Sequence, residues 1–249
     1  LSAKKNNWLA SVLIDAQPNQ KIIKWGLAKV DVSTGELIVQ EGNEVNNLKQ
    51  ELIKIQAAEI ISENNTISYD NWHTSSMNIT EFNQTSFTEL ESKMTILNHY
   101  CLHNIEGLGI HLNKLFIRTI GGLIAYLNQT HPNMIRGIND TKKTHIAIDY
   151  PKIKHIQSRL IIDNQTRKNL ELTSTQRGGQ FQGSLLWAID KTLTAMGARC
   201  IRRWVEEPLT DISSIKSRQN VISLLVESTS LRKNLRRVLR TMGDLERLS

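Results

Sequence analysis

Residues 178 to 184 read Gly178-Gly179-Gln180-Phe181-Gln182-Gly183-Ser184, with two glycine positions spaced as in a phosphate-cradling loop. Such a loop aims backbone N–H groups at a polyphosphate while a lysine reaches the β- and γ-phosphates, and it needs a buried strand before it and a helix after it. Here Ser184 stands where the lysine must be, and the preceding residues read as helix. A helix-to-helix turn with Ser184 as N-cap is expected, with no nucleotide bound. His99-x-Cys101-x-His103 offers three zinc ligands in five residues, but only His99 and His103 share a helical face and no second cluster completes a four-ligand site. Packing at a helix end is the expectation. Asp15, Glu51 and Glu63 are the carboxylates that a two-Mg²⁺ nuclease would draw from strand ends and one helix. Asp15 precedes a Gln-Pro-Asn turn and Glu51 falls on the polar face opposite Leu48 and Leu52, so solvated surface acids are expected. There is no Gly-x-Ser-x-Gly elbow, and no histidine near Cys101 or Cys200 suggests an activated nucleophile. No catalytic, cofactor-binding or metal residue is assigned.

The elements that would position such residues fall into two styles. Trp8 to Asp15, Ile22 to Asp31 and Glu36 to Gln40 read as three strands, the last two joined by the turn Ser33-Thr34-Gly35. Val45, Leu48, Leu52 and Ile55 make one face of a helix, and Glu59-Ile60-Ile61-Ser62 a fourth strand. This βββαβ order predicts an RNase H-like α/β domain over residues 1 to 113. A polar stretch, Glu63 to Thr88, precedes a helix from Glu89 to Tyr100. From Lys114 to Ser249 the chain reads as helix after helix. A stripe of Leu115, Ile120, Leu123, Ile124 and Leu127 ends at Thr130-His131-Pro132, and a β-like Arg159-Leu160-Ile161-Ile162 leads to Asp163 as a helix cap. Further helices are expected over 184–191, 195–206, 211–227 and 230–242, an all-α domain that looks truncated. Trp187 and Trp204 sit in apolar stripes and are read as core anchors rather than base-stacking platforms.

With 39% hydrophobic and 22% charged residues the composition is that of a foldable chain, not a disordered one, and 13 Gly with 4 Pro exclude collagen-like and mucin-like sequences. No run approaches the ~18 apolar residues of a membrane span. The chain opens on Leu1, without a basic segment and apolar run of the secretory kind, and stops on a helical pattern, so a piece of a longer protein is expected. Two cysteines a hundred residues apart fit a reducing, cytoplasmic setting. The net charge of +7 divides unevenly: residues 1 to 113 hold 8 Lys+Arg against 13 Asp+Glu, and residues 114 to 249 hold 23 against 11. Arg232, Lys233, Arg236, Arg237 and Arg240 cover one helix around the apolar line Leu231, Leu235, Val238, Met242. They are the candidate contacts to a DNA backbone, with a solvated basic face as the plainer reading.

The run Asp163-Asn164-Gln165-Thr166-Arg167-Lys168-Asn169-Leu170-Glu171-Leu172 resembles the opening of the long core helix in the MutS family of DNA mismatch repair proteins. Gly183 to Thr192, with Trp187 and Asp190, and Thr194-Ala195-Met196-Gly197-Ala198-Arg199 with Arg202-Arg203-Trp204 and Pro208-Leu209, resemble the helices that follow. Gly243-Asp244-Leu245-Glu246-Arg247-Leu248 closes the likeness. Asp163, Arg167, Asn169, Trp187, Asp190, Gly197, Arg203, Trp204, Pro208, Asp244, Glu246 and Arg247 are its structural residues. Upstream, Trp25-Gly26-Leu27-Ala28 with Asp31-Val32-Ser33-Thr34-Gly35-Glu36 resembles the family's connector domain, and Ile105-Glu106-Gly107-Leu108-Gly109 its exit. Residues 64 to 88 and 142 to 157 show no correspondence. Asn169-Leu170-Glu171-Leu172-Thr173, followed by Arg177-x2-Gln180-Phe181-Gln182-Gly183, is similar to cyanobacterial members. The resemblance implies a connector followed by the first part of the helical core, taken from a parent that is a homodimer, binds mismatched double-stranded DNA and ATP with Mg, forms a sliding clamp and recruits MutL. It implies that the segment is catalytically inert and joins the DNA-binding part to the ATPase. A metal-dependent nuclease of RNase H-like fold and a basic helical scaffold gripping DNA backbone are the alternatives.

Overall fold

The computed structural model describes residues 4–15, 24–63, 77–108, 113–131, 148–154, 160 and 162–248. They form two compact units, one of Asn7–Ile156 and one of Leu1–Asn6 with Gln157–Ser249.

The first unit is a mixed sheet between helical layers. Strands β1 (Trp8–Asp15), β2 (Lys24–Asp31) and β3 (Leu37–Gly42) form an antiparallel meander. Helix α1 (Val45–Ile55) then carries the chain to β4 (Glu59–Glu63), which lies parallel to β1. Strand β5 (Ile79–Phe82) lies parallel to β4 and β6 (Lys152–Ile153) parallel to β3, giving the order β5-β4-β1-β2-β3-β6. The alternation of side chains along each strand divides the core. Ala10, Val12, Trp25, Leu27 and Ile60 face Leu48, Leu52 and Ile55 of α1. Leu9, Leu13, Ala28, Val30, Leu37, Val39 and Ile61 face α2 (Glu89–Tyr100) and α3 (Lys114–Thr130). Between β2 and β3 the fully buried Asp31 accepts through Oδ1 from Ser33 N at 2.9 Å and Ser33 Oγ at 2.6 Å, which shapes the hairpin turn.

Helix α3, in the stretch read as the start of the helical half, packs into the first unit. Phe116, Ile120, Leu123, Ile124 and Leu127 of α3 are buried in the sheet's own core. A β carbon on Gly121 would collide with the Ser92 backbone of α2, and one on Gly122 with the Phe87 ring, so the pair of glycines lets α3 seat closely. The sheet also takes β6 from residues with no expected strand, and β5 from the stretch read as a polar interruption. Both are short edge strands, too brief for an alternation to register. The basic excess stays with the second unit: its residues hold 18 Lys+Arg against 9 Asp+Glu, whereas residues 7–156 hold 13 against 15.

The second unit is helical among its described residues, with α4 (Asn164–Asn169), α5 (Leu185–Ile189), α6 (Ala195–Glu206), α7 (Ile212–Glu227), α8 (Thr229–Arg240) and α9 (Leu245–Leu248). Its helix starts are written in the sequence. Asp163, Ser184, Thr194, Asp211 and Ser228 each accept a backbone N–H of the turn they open. The expected strand at 159–162 does not appear at Leu160 or Ile162, and Arg159 and Ile161 lie outside the described residues. Helix α4 also stops at Asn169, short of the Leu170 and Leu172 expected to extend it.

Candidate functional site

The glycine loop at 178–184 is a turn. Gly179 and Gly183 have φ of +61° and +95°, and Ser184 donates its hydroxyl to the Phe181 carbonyl at 2.7 Å while accepting from Trp187 N at 3.2 Å. Its oxygen is committed to starting α5, and no lysine or preceding strand is there to hold a nucleotide. ATP with Mg does not fit these residues.

The three carboxylates considered for metal chemistry do not form a metal-holding group among the described residues. Asp15 is exposed at the end of β1, opposite Lys24. Glu63 pairs with Arg118 of α3 at 3.0 Å, and Arg118 Nε also donates to the Phe87 carbonyl at 2.7 Å. Glu51 lies on α1, across the sheet. Reading Glu51 as a solvated acid is corrected: its side chain is 13% exposed and pairs with Lys54 at 2.9 Å. Burial raises its pKa, but the charges of Lys54, Lys154 and Lys29 outweigh that and leave it below the ordinary value. Lys54 lies on α1 itself, but Lys29 and Lys154 come from β2 and the chain after β6, elements whose position beneath α1 the helical pattern of α1 alone does not reveal.

His99 is buried at the end of α2 with its ring edge-on to Tyr100, centroids 4.7 Å apart, and desolvation depresses its pKa to about 4. The helix stops at Tyr100 and Cys101 turns left-handed with φ of 52°, so His103 does not share its face. Among the described residues no group of three His, Cys, Asp or Glu side chains could hold a metal ion. Nor is any helix among them long and apolar enough to cross a membrane.

The residues with the strongest mutual geometry lie in the helical unit. Arg199 of α6, 5% exposed, donates through Nη1 and Nη2 to the two carboxylate oxygens of Asp244 at 2.9 and 2.7 Å, and through Nε to Glu246 Oε2 at 3.0 Å. Arg247 Nη2 donates to the Lys5 carbonyl at 2.9 Å. The Asp244 carboxylate raises the pKa of Arg199 and is itself lowered by it, so both stay charged at any ordinary pH. Asp244, Glu246 and Arg247 were singled out by resemblance; Arg199, a charge on the buried face of α6 beside Ala198, is the partner that ties them together.

The other motif residues are structural in visible ways. Asp163 accepts from Thr166 N and Oγ1 at 2.9 and 2.6 Å, and Asp190 from Thr192 N and Oγ1 at 3.0 and 2.6 Å. Arg167 Nη2 reaches the Ile162 carbonyl at 3.5 Å, Asn169 Oδ1 accepts from Gln165 at 2.9 Å, and Gly197 N donates to Thr194 Oγ1 at 3.0 Å. The Arg203 carbonyl accepts from Glu207 N at 2.9 Å and the Pro208 carbonyl from Leu160 N at 2.9 Å. The tryptophans depart from the expected core role: Trp187 is 47% and Trp204 40% exposed. The Arg218 guanidinium covers the Trp204 ring at 3.5 Å, which occupies one of its faces.

The five cations of α8 separate into two kinds. Arg232 Nη1 donates to the Leu225 and Val226 carbonyls at 2.6 and 3.0 Å, closing the end of α7, and Arg236 donates to the Lys191 carbonyl at 3.1 Å. Lys233, Arg237 and Arg240 are exposed and form no ion pair among the described residues. Arg232 and Arg236 are thus partly engaged with backbone carbonyls, and these three are not.

Comparison with known proteins agrees with this arrangement. Residues 7–139 match the family MutS domain II, and residues 165–249 match MutS domain III. Along its whole length the chain is 69% identical to the DNA mismatch repair protein MutS of Prochlorococcus marinus (strain NATL1A) and 67% identical to that of strain NATL2A. It is 43% identical over 253 aligned residues to the MutS of Synechococcus sp. (strain WH7803). The chain spans 27% of the length of each of these relatives. Two adjacent domain matches and this identity over every element described lead to one assignment: the chain belongs to the MutS family of DNA mismatch repair proteins.

Proposed function

We propose that this chain is the domain II and domain III portion of a longer mismatch repair protein, and that its work is mechanical. In that reading, residues 7–156 are the connector and the helical unit is the first part of the core. In the same reading the connector is RNase H-like, supported by the order β3-β2-β1-β4-β5, a meander followed by two strands parallel to the first, with β6 added at the β3 edge. The parent protein is a cytoplasmic homodimer that binds mismatched double-stranded DNA and ATP with Mg, becomes a sliding clamp and recruits MutL. The segment itself carries no catalysis. Nucleotide binding and hydrolysis belong to other parts of the parent, and the segment passes a rearrangement between them and the DNA-reading part.

The observation that carries this reading is the 69% identity over the full chain to a protein named for mismatch repair, spread across both domain matches. Coupling between two distant sites requires rigid elements with more than one arrangement rather than a reactive group, and the described residues supply capped, tied helices. The test is complementation. The intact gene should restore a low mutation rate to a bacterium lacking its own MutS, and replacing residues 7–249 by a flexible linker should abolish rescue. Rescue with the linker in place would refute a transmission role.

Lys233, Arg237 and Arg240 add a second, subordinate reading, direct contact of α8 with the DNA backbone. It is supported by their exposure and their freedom from acidic partners among the described residues.

A further inference from the structure

We propose that Arg199 is a positioning residue, a latch that holds α9 and the chain passing through it against α6 and against the residues around Lys5. The proposal rests on the transmission role given above and says where in the helical unit the movement is carried. Forty-five residues separate Arg199 from Asp244. The covalent route between them runs through α7 and α8. The clasp bridges that route directly. A guanidinium presents its donors in a fixed plane, and here that plane is occupied on two edges, by both oxygens of Asp244 and by Glu246. The orientation of α9 on α6 is therefore set as well as its distance.

Such a joint has little slack. Because Arg199 is buried, drawing Asp244 away strips a desolvated charge of two of its hydrogen bonds while Glu246 still holds Nε, so opening the clasp is costly. Arg247 extends the same joint: its Nε lies 3.8 Å from Asp244 Oδ2 while its Nη2 holds the Lys5 carbonyl, two residues before the α/β unit begins at Asn7. Motion applied to α9 is thereby delivered both to α6 and to the strand of chain that leads into β1.

Amide hydrogen exchange on the 249-residue chain tests the latch itself. Arg199→Met should speed exchange at residues 244–248 and at Lys5–Asn6 by about tenfold, with α1 to α3 unchanged, and Arg199→Lys, which keeps the charge and loses the fork, should fall between. Unchanged exchange at residues 244–248 in both variants overturns the proposal. In the full-length protein, Arg199→Lys should slow ATP-triggered release from a mismatched duplex by about tenfold while mismatch affinity, ATP hydrolysis and melting temperature stay near wild type. Release at the wild-type rate overturns the latch, as does a loss that merely follows a drop in melting temperature. A wild-type protein that does not release on ATP would refute the transmission role instead, and the exchange result still decides the latch.

Discussion

The Tyr100 hydroxyl donates to the Asp149 carbonyl at 2.8 Å, joining the end of α2 to the residues just before β6 across 49 positions of sequence. Tyr150 packs against the same ring, with centroids 5.2 Å apart. The α/β unit is therefore completed by residues well beyond the point at which the sequence turns helical.

A protein ending at Asn113 should not fold, whereas residues 7–156 should melt as one cooperative unit. The shorter piece loses the five buried side chains of α3, each worth roughly 1.5–3 kcal/mol, a sum comparable to the entire stability of a domain. Circular dichroism melts of the two proteins decide it; a sharp transition from residues 7–113 would refute the boundary.

Acid should weaken the same unit through His99. Its pKa falls from the ordinary 6.5 to about 4 on burial, so between these values the unfolded chain binds a proton that the folded one refuses. The stability at stake is complete above pH 6.5, declines as pH drops toward 4 and is lost below that, on the order of 3 kcal/mol in all. Urea midpoints measured from pH 7.5 to 4 should show a slope that His99→Leu flattens. Equal slopes in the two proteins would contradict it.

Ser184→Ala should cost about 1 kcal/mol of helical-unit stability, the value of an N-cap, and should leave nucleotide binding untouched because this loop binds none. Thermal melts and titration of the purified chain with a fluorescent ATP analogue give both readouts. Saturable binding lost in Ser184→Ala would overturn the assignment of the loop as a turn.

If α8 meets DNA, the two kinds of cation should behave differently. Replacing Lys233, Arg237 or Arg240 by alanine should reduce the slope of log affinity against log salt by about 1 each, uniformly across DNA sequences. Arg232→Ala should instead loosen the junction of α7 and α8, because its partners are carbonyl groups. Binding by fluorescence anisotropy at several salt concentrations separates them, and a salt-insensitive affinity would exclude backbone contact.

Much of this was legible in the sequence because the signals were local. The meander, α1, the span of α2 from Glu89 to Tyr100 and that of α6 from Ala195 to Glu206 follow from alternation, periodicity and caps. What escaped depended on distant partners. Strand β6 is two residues long and exists because the edge of β3 receives it, and the charges of Lys29 and Lys154 that help hold the Glu51 carboxyl low arrive from other elements. Likewise, an apolar stripe places Trp204 toward a core, but only tertiary structure shows that Arg218 covers it. The clasp was half visible: Arg199, Asp244 and Glu246 all fell within the resemblance, but their pairing across more than forty residues did not show.

The parallel pairing of β6 with β3 orders events during synthesis. Strands β1 to β3 and α1 leave the ribosome first, since they lie consecutively between Trp8 and Ile55. Ile38 and Val39 must then wait for Lys152 and Ile153, more than a hundred residues behind. Throughout that interval the nascent chain displays an unpaired strand edge, the kind of surface that recruits strands from neighbouring nascent chains. Two late residues thus close the period in which a polysome making this protein is most open to aggregation.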